Sequence, residues 1–535
     1  MSLDLVLASF ILSIMTYIRA KTIAIVGAGP SGLAAAKCIP PFSSLICCSA
    51  VVSKLTLIRY LLAENAFTRL TIYEQRSQSG GIWNATPDLL TDSLFAVPQT
   101  DPLGENQKPA WLSQPQPPDE RGEDISNGLH RDPVFLSPIY DDLETNTVRD
   151  LMGFQGLPWP KDTQLFPRHD TVLQYVRKYG EEVEHLVQHC VQVTSVAPVS
   201  ASASTPWTLK TLNLKTNIEQ EEVYDAVIIA NGHFITPCIP AIEGVSEWNA
   251  MHPNLISHAK YFRRPSSYTG KKVLVIGNSA SGLDISTQLL PYCTPPLLWS
   301  ARSASHYSAS PSPLRANKPQ VTRFLPATRA VQFADNTTEH AIDAVIFATG
   351  YLYSLPFLSP LTPPLITDGT HLQNTYQHLF FAPQPTLSFL VLAQRVTPFP
   401  TAEAQSAVLA RVYAGRLPLP ALPDMRAWSA RTYQESGGGR NFHLMPFPKD
   451  ANYINELRAW ADEAELRPGL ANEGRGMLGP RWGEWEFWCR ERFPVMRRVF
   501  VERGVERHGV RTMEELGFGQ DEFIKERKDK GEWGL

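Results

Sequence analysis

Four short apolar runs, each rich in β-branched residues and each ending at or near a glycine, punctuate the chain: TIAIVGAGPSG at 22–32, YDAVIIANGHF at 224–234, KVLVIGNSASG at 272–282 and DAVIFATGY at 343–351. Runs without polar alternation suit strands covered on both faces of a parallel sheet. The second and fourth mirror one another, so the order predicts two nucleotide-binding units with related exits. Pro98 to Pro138 is rich in Pro, Gln, Asp and Glu and reads as a long surface loop. The tail after Asp462 carries Trp482, Trp485 and Trp488 among many charges and reads as helices packed back on the body. Leu5 to Met15 is an apolar run of eleven residues, short of the about 20 that a bilayer span needs. It has Asp4 in place of a basic flank, no A-x-A-like cleavage site, and a strand almost directly behind it. A packed or misassigned leader is therefore favoured over a signal or anchor.

One break in the pattern stands out. The helix opening at SGLAAAK meets Pro40 and Pro41, then Cys47 and Cys48, and restarts at Tyr60 as YLLAENAF. Gly27, Gly29 and Gly32 form G-x-G-x-x-G directly after a strand. These glycines serve a tight turn, backbone approach to a pyrophosphate and close helix packing, with the helix amino terminus facing the anion. The pattern also calls for an acid about 20 residues on, for the ribose hydroxyls. The candidate, Glu74 in LTIYEQ, lies 42 residues after Gly32. Removing Cys38 to Arg59 deletes 22 residues and puts Glu74 20 residues after Gly32, with a join, SGLAAAKYLLAENAFTRLTIYEQ, that reads as one amphipathic helix and a strand. Those 22 codons make 66 bases, and their possible codons supply a GTG donor at Lys37-Cys38, a CTAAC branch sequence at Leu55-Thr56 and an acceptor AG at Ile58-Arg59. Residues 38–59 are thus read as a retained intron; the alternative is a tolerated surface insert. A genuine insert would set two prolines in or beside the first helix, where an interior proline costs about 3 kcal/mol.

The second cradle matches the glycine pattern at Gly277, Ser279 and Gly282. Its following strand ends in LLWSAR, placing Ser300 and Arg302 where a ribose-binding acid would otherwise stand, with Arg302 20 residues after Gly282. A guanidinium there pairs with a 2′-phosphate and favours NADPH over NADH. Charge adds an exclusion: Lys plus Arg is 49 against 53 Asp plus Glu, for a net of −4, with no basic stripe for nucleic acid. The partner is a small molecule. Seven cysteines, an odd number without CxxC, fit no disulfide framework, zinc site or dithiol centre and point to a reducing, cytoplasmic setting. With 535 residues and 43% hydrophobic content, the chain has room for two or three domains with substantial cores.

Taken together, GAGPSG, GGIW (Gly80, Gly81, Trp83), GNSASG and FATGY (Thr349, Gly350) resemble the flavin-containing monooxygenases, most nearly the fungal members, over about 21–460 apart from the insert. The resemblance implies an α/β fold of two dinucleotide-binding, Rossmann-like domains, the first cradle for FAD and the second for NADPH, with the NADPH domain inserted into the FAD domain. The implied division is an apolar leader at 1–20, FAD-binding parts at 21–236 and 343–462, an NADPH-binding domain at 237–342 and a helical extension at 463–535. The family signature F-x-G-x-x-x-H-x-x-x-[YF] maps onto HPNLISHAKYF: His258 and Phe262 fit, while His252 and Asn254 replace the phenylalanine and glycine. The ending is unlike the Trp-Pro or Trp-Asp of Baeyer–Villiger relatives. The family's TN pair appears in YDDLETNTVRDLM, which implies Asn146 as the amide beside flavin and nicotinamide; a helix cap is the competing reading. For His258 the competing reading is a hinge or packing residue.

The implied chemistry is hydride delivery from NADPH to flavin, capture of O2 as a C4a-hydroperoxide, and transfer of one oxygen to a soft nitrogen or sulfur nucleophile. The cofactor carries the difficult step, so the protein itself need not supply a nucleophile, metal or acid–base pair. Competing readings are a ketone-oxidising Baeyer–Villiger enzyme, a dithiol flavoprotein reductase resting on Cys47-Cys48, and a flavin-free product if residues 38–59 are translated. No residue pattern names the substrate. A mature transcript sequenced across the Lys37 codon is expected to lack the 66 bases; a message that retains them makes the segment a translated insert.

Overall fold

The computed structural model describes residues 15–36, 60–86, 95–102, 105–114, 130–200, 205–303 and 311–530. The suspected insert at 38–59 and most of the apolar leader lie outside the described residues.

The chain lays down β1 (Thr22–Val26), α1 (Pro30–Ala36), α2 (Tyr60–Ala63) and β2 (Arg69–Glu74). It continues through α3 (His169–Gly180), β3 (Val187–His189) and β4 (Ala226–Ile229). It then leaves this sheet for β5 (Ile256–His258), β6 (Val273–Ile276), α4 (Ala280–Leu289), β7 (Leu297–Ser300), β8 (Arg315–Lys318) and β9 (Ala344–Phe347). It returns with β10 (Leu387–Phe389), α5 (Pro398–Tyr413), α6 (Lys449–Asp462) and α7 (Glu484–Glu502).

Two parallel sheets result. The first runs β10-β4-β1-β2-β3, with two short antiparallel strands beyond β10; the second runs β5-β9-β6-β7-β8. The second is nested between β4 and β10 in the chain, so the fold is α/β with one dinucleotide-binding unit inserted into the other. All four residues of β4, of β6 and of β9 are buried, which is why those runs show no polar alternation. In each sheet the strand before the glycine turn, β1 or β6, has neighbours that follow it on opposite sides. That arrangement opens a crevice at the carboxyl ends of the strands, where dinucleotides bind in such folds.

The stretch from 98 to 138 differs from the expected loop: Ala110–Gln114 and His130–Val134 pair antiparallel. The Pro, Gln and acid content of the region masked two short strands that stabilise each other only as a pair. Residues 16–20 are packed, with bridges from Thr16 to Leu419 and Arg19 to Ala414 and with Ile18 and Ala20 in the core. In the tail, Trp485 stacks on Trp488 at 5.3 Å and both meet Phe523. Among the described residues no helix is long and apolar enough to cross a membrane.

Both pieces of the interrupted helix contact α5 and contribute Leu33, Ala34, Tyr60 and Leu61 to one core. The restarted piece is fixed by Glu64, fully buried, whose carboxylate receives Arg416 in a bidentate pair at 2.6 and 2.7 Å. Arg416 also donates to the Arg475 carbonyl at 3.0 Å, so the pair joins the end of α2 to the turn after α5 and to the 475 loop. Glu64→Gln would strand a buried guanidinium, and the expected cost is about 3–5 kcal/mol. Chemical denaturation of the two proteins checks this, and a loss below about 1 kcal/mol, the scale of an exposed pair, would contradict it.

Candidate active site

The carboxyl ends of β1 and β6 open onto one cleft of about 1080 Å³. Its floor is set by sterics. A Cβ on Gly27 (φ +106°) would stand 2.7 Å from the Ala230 carbonyl oxygen, and one on Gly32 2.0 Å from the Gly27 oxygen. The second unit repeats this: Gly277 (φ +118°) would meet the Ala348 oxygen at 2.3 Å and Gly282 the Gly277 oxygen at 2.1 Å. Ser279 breaks the glycine pattern harmlessly, because its backbone is extended (φ −81°, ψ −170°) at the cap of α4. Gly29 meets the other glycine loop: a Cβ on Gly81 (φ +57°) would lie 3.0 Å from the Gly29 Cα. Gly29, Gly81 and Trp83 line the cleft on one side and Gly277 and Ser279 on the other. Gly32 and Gly282 sit behind the turns.

The first turns of α1 (Pro30, Ser31) and α4 (Ala280, Ser281) line the same cleft, so each cradle offers a helix amino terminus to an anion. Glu74 ends β2 at the cleft wall, its carboxylate accepting from the Ala28 N–H at 2.8 Å and the Arg76 N–H at 2.9 Å. Arg302 is exposed to the cleft, with no acidic partner among the described residues. Ser300, by contrast, is buried and donates its hydroxyl proton to the Pro319 carbonyl at 2.7 Å. These features suit a pyrophosphate at each cradle, ribose hydroxyls beside Glu74 and a phosphate beside Arg302.

Asn146 lines the cleft with its side chain exposed. It is no helix cap: Val148 caps the short helix that follows, without a side-chain bond, and Thr145 Oγ1 donates to the Thr147 carbonyl. His258 is buried and receives the Lys260 N–H at Nδ1, 3.1 Å, which leaves Nε2 to donate to the Gly350 carbonyl at 3.0 Å. Burial lowers its pKa to about 3, so the ring stays neutral. It joins the first crossing between the units to the second, where Thr349 Oγ1 donates to the Cys238 carbonyl. Phe262 is wholly buried away from the cleft, with its ring 5.2 Å from Tyr140. Both substitutions in the signature have a physical reason. Asn254 holds φ +69°, a conformation asparagine tolerates in place of glycine, and His252 keeps an aromatic ring on Trp248 at 5.4 Å.

The sequence pattern of the flavin-binding monooxygenase-like family matches residues 130–307 and 315–471, well over half of the chain. The chain belongs to that family. Relatives of this flavin-binding monooxygenase include the flavin-containing monooxygenase iboF of Amanita muscaria, 28% identical over 510 residues, 84% of this chain and 89% of that one. The thiol-specific monooxygenase of Saccharomyces cerevisiae is 29% identical over 353 residues, 62% of this chain and 75% of that one. The fold matches S-allyl-L-cysteine S-oxygenase from Allium sativum with a TM-score of 0.66 at 24% identity, covering 95% of this chain and 99% of that one. A flavin is the cofactor of the family and of this member; FAD and NADPH are typical of the family, and O2 and a small-molecule substrate are consistent with a monooxygenase.

Two cleft residues of this monooxygenase escaped sequence reasoning. His233 is half-buried beside β4, and desolvation lowers its pKa to about 4; in the sequence it is only the end of an apolar run. Arg440 reaches the Cys238 sulfur and the Thr349 carbonyl from a segment with no local signal. Gly27→Ala is expected to purify without FAD, because its Cβ has no room and its φ is unsuited to alanine, whereas Ser279→Gly keeps it. Visible absorbance of both variants checks this; full flavin occupancy in Gly27→Ala would contradict the steric account.

Proposed function

We propose that this flavin-binding monooxygenase uses NADPH and O2 to place one oxygen atom on a soft nitrogen or sulfur nucleophile of a small molecule. The observation that carries the reading is a convergence: two glycine cradles open onto one cleft into which Asn146 presents an amide with no hydrogen-bond partner among the described residues. Bound FAD, reduced by NADPH, supplies the oxygen-activating chemistry.

The chain's own groups bind, orient and exclude water. The amino-terminal turns of α1 and α4 hold the two pyrophosphates, with Gly27, Gly29 and Gly32 in one cradle and Gly277, Ser279 and Gly282 in the other. Glu74 orients the flavin-side ribose, and Arg302 pairs with the 2′-phosphate that distinguishes NADPH from NADH. Gly81 and Trp83 close the flavin side; Ser300 acts by fixing the strand end from which Arg302 projects. The hydrogen bond from His258 to Gly350 holds the two crossings together, and Phe262 anchors the first of them. Thr349 and Gly350 form the second. Asn146 donates its amide N–H to the oxygen to be transferred and so holds it until a substrate arrives. Trp83, Met152 and Phe399 give the cleft apolar lining that keeps water away. The thiol-specific and S-allyl-L-cysteine proteins named above favour sulfur over nitrogen as the nucleophile.

The test is NADPH-dependent oxygenation of a thioether and a tertiary amine by the purified holoenzyme. Asn146→Ala is expected to keep FAD and to consume NADPH, but to lose coupling to product by about tenfold or more, with hydrogen peroxide released instead. Coupling equal to the parent protein would remove Asn146 from the reaction.

A further inference from the structure

The helix α7, in the carboxyl-terminal extension, makes an unusual junction. Arg497, on α7, is 9% exposed at its side chain and reaches two acids that belong to different units. Its Nη1 donates to Glu144 Oε2 at 3.0 Å and its Nη2 to Asp284 Oδ1 at 3.4 Å. Glu144 stands two residues before Asn146, in a loop that lines the cleft. Asp284 lies on α4, whose amino terminus forms the nicotinamide cradle.

The surroundings make this a built site. Glu144 is further held by Gln164 Nε2 at 2.9 Å and Arg507 Nε at 3.2 Å, and His508 Nδ1 lies at 3.6 Å. Asp284 takes a hydrogen bond from the Tyr140 hydroxyl and one from Gln288 Nε2 at 2.9 Å. The guanidinium lies 5.2 and 5.4 Å from the ring centres of Phe166 and Phe500, so little water competes for it. Removing Arg497 would take away the one cation that the buried Glu144 and the half-buried Asp284 share, leaving Glu144 to Arg507 and Asp284 without an ion pair among the described residues, so that the two carboxylates repel across the seam between the units and separating the units is the simplest relief.

We propose that Arg497 is a positioning residue: α7, in the carboxyl-terminal extension, is a strap that, through Glu144 and Asp284, fixes the nicotinamide cradle on α4 relative to the Asn146 loop. Arg497 touches neither cofactor nor substrate. Its effect is on the distance and angle between two groups that do, and this rests on the roles given to α4 and Asn146 above.

The experiment uses the full-length holoenzyme. Arg497→Met removes the charge at similar volume, Arg497→Lys keeps the charge but cannot fork between two acids, and Arg497→Met combined with Glu144→Gln and Asp284→Asn removes the stranded acids as well. NADP⁺ affinity is read by calorimetry, together with FAD content and thermal unfolding. The expected result is full FAD content, NADP⁺ binding weaker by about tenfold in Arg497→Met, within the usual range of coupling between sites, and a smaller loss in Arg497→Lys. The triple variant is expected to regain thermal stability without regaining NADP⁺ affinity, a split that a merely stabilising residue would not produce. Should Arg497→Met fail to fold, Arg497→Lys and the triple variant carry the same comparison. NADP⁺ affinity within twofold of the parent in the variants that fold would overturn the proposal. A failure of the monooxygenase reading is seen separately, as a parent protein that binds NADP⁺ yet oxygenates neither thioether nor amine.

Discussion

The structure depends on a close approach of backbone to backbone that no side chain can survive. At Gly27 and again at Gly277, the turn leaving a parallel strand presses against the carbonyl at the end of the adjoining strand, Ala230 or Ala348, with room for a hydrogen and nothing larger. Gly32 and Gly282 then bring the helix down onto the turn itself. From this one constraint follow the orientation of α1 and α4, the exposure of their amino-terminal turns and the crevice between strands that diverge from there. The cleft is where two copies of that solution face each other, one carried inside the other.

The same constraint explains which departures from the family pattern matter. A glycine is indispensable where φ is positive and a carbonyl lies within contact, and dispensable elsewhere. Ser279 sits in extended backbone, so serine serves there; Asn254 adopts a left-handed conformation but in open surroundings, so asparagine serves there. A motif read as letters would count both as defects. Read as dihedral angles, neither is.

Much of this was legible in the sequence because it is local. Uninterrupted β-branched runs announced β1, β4, β6 and β9, the glycine spacings announced both turns, and the distance from Gly32 to Glu74 announced the interruption. What was missed is what local pattern cannot carry. The short strands at 110–114 and 130–134 exist only as a pair. Glu64 and Arg416 are 352 residues apart, Glu144 and Arg497 353, and Cys238 and Arg440 202. None of these positions has a periodicity or spacing that points to its partner. The tail was legible as helices, through its tryptophans and charges, but the arginine that ties it to both units looked like any other. Ser300 adds a detail that spacing could not carry: it lines the cleft, and its hydroxyl donates to the Pro319 carbonyl.

The proposed roles of these residues rest on one proposed event in the cleft, the meeting of reduced flavin, O2 and a soft nucleophile so that one oxygen atom reaches the nucleophile. The most direct measurement is turnover of a simple thioether under isotopically labelled O2, with the product mass and the NADPH consumed recorded together. One labelled oxygen atom in the sulfoxide for each NADPH oxidised is the result the account requires. Unlabelled product, or NADPH oxidation that releases only hydrogen peroxide whichever sulfur or nitrogen nucleophile is offered, would contradict it.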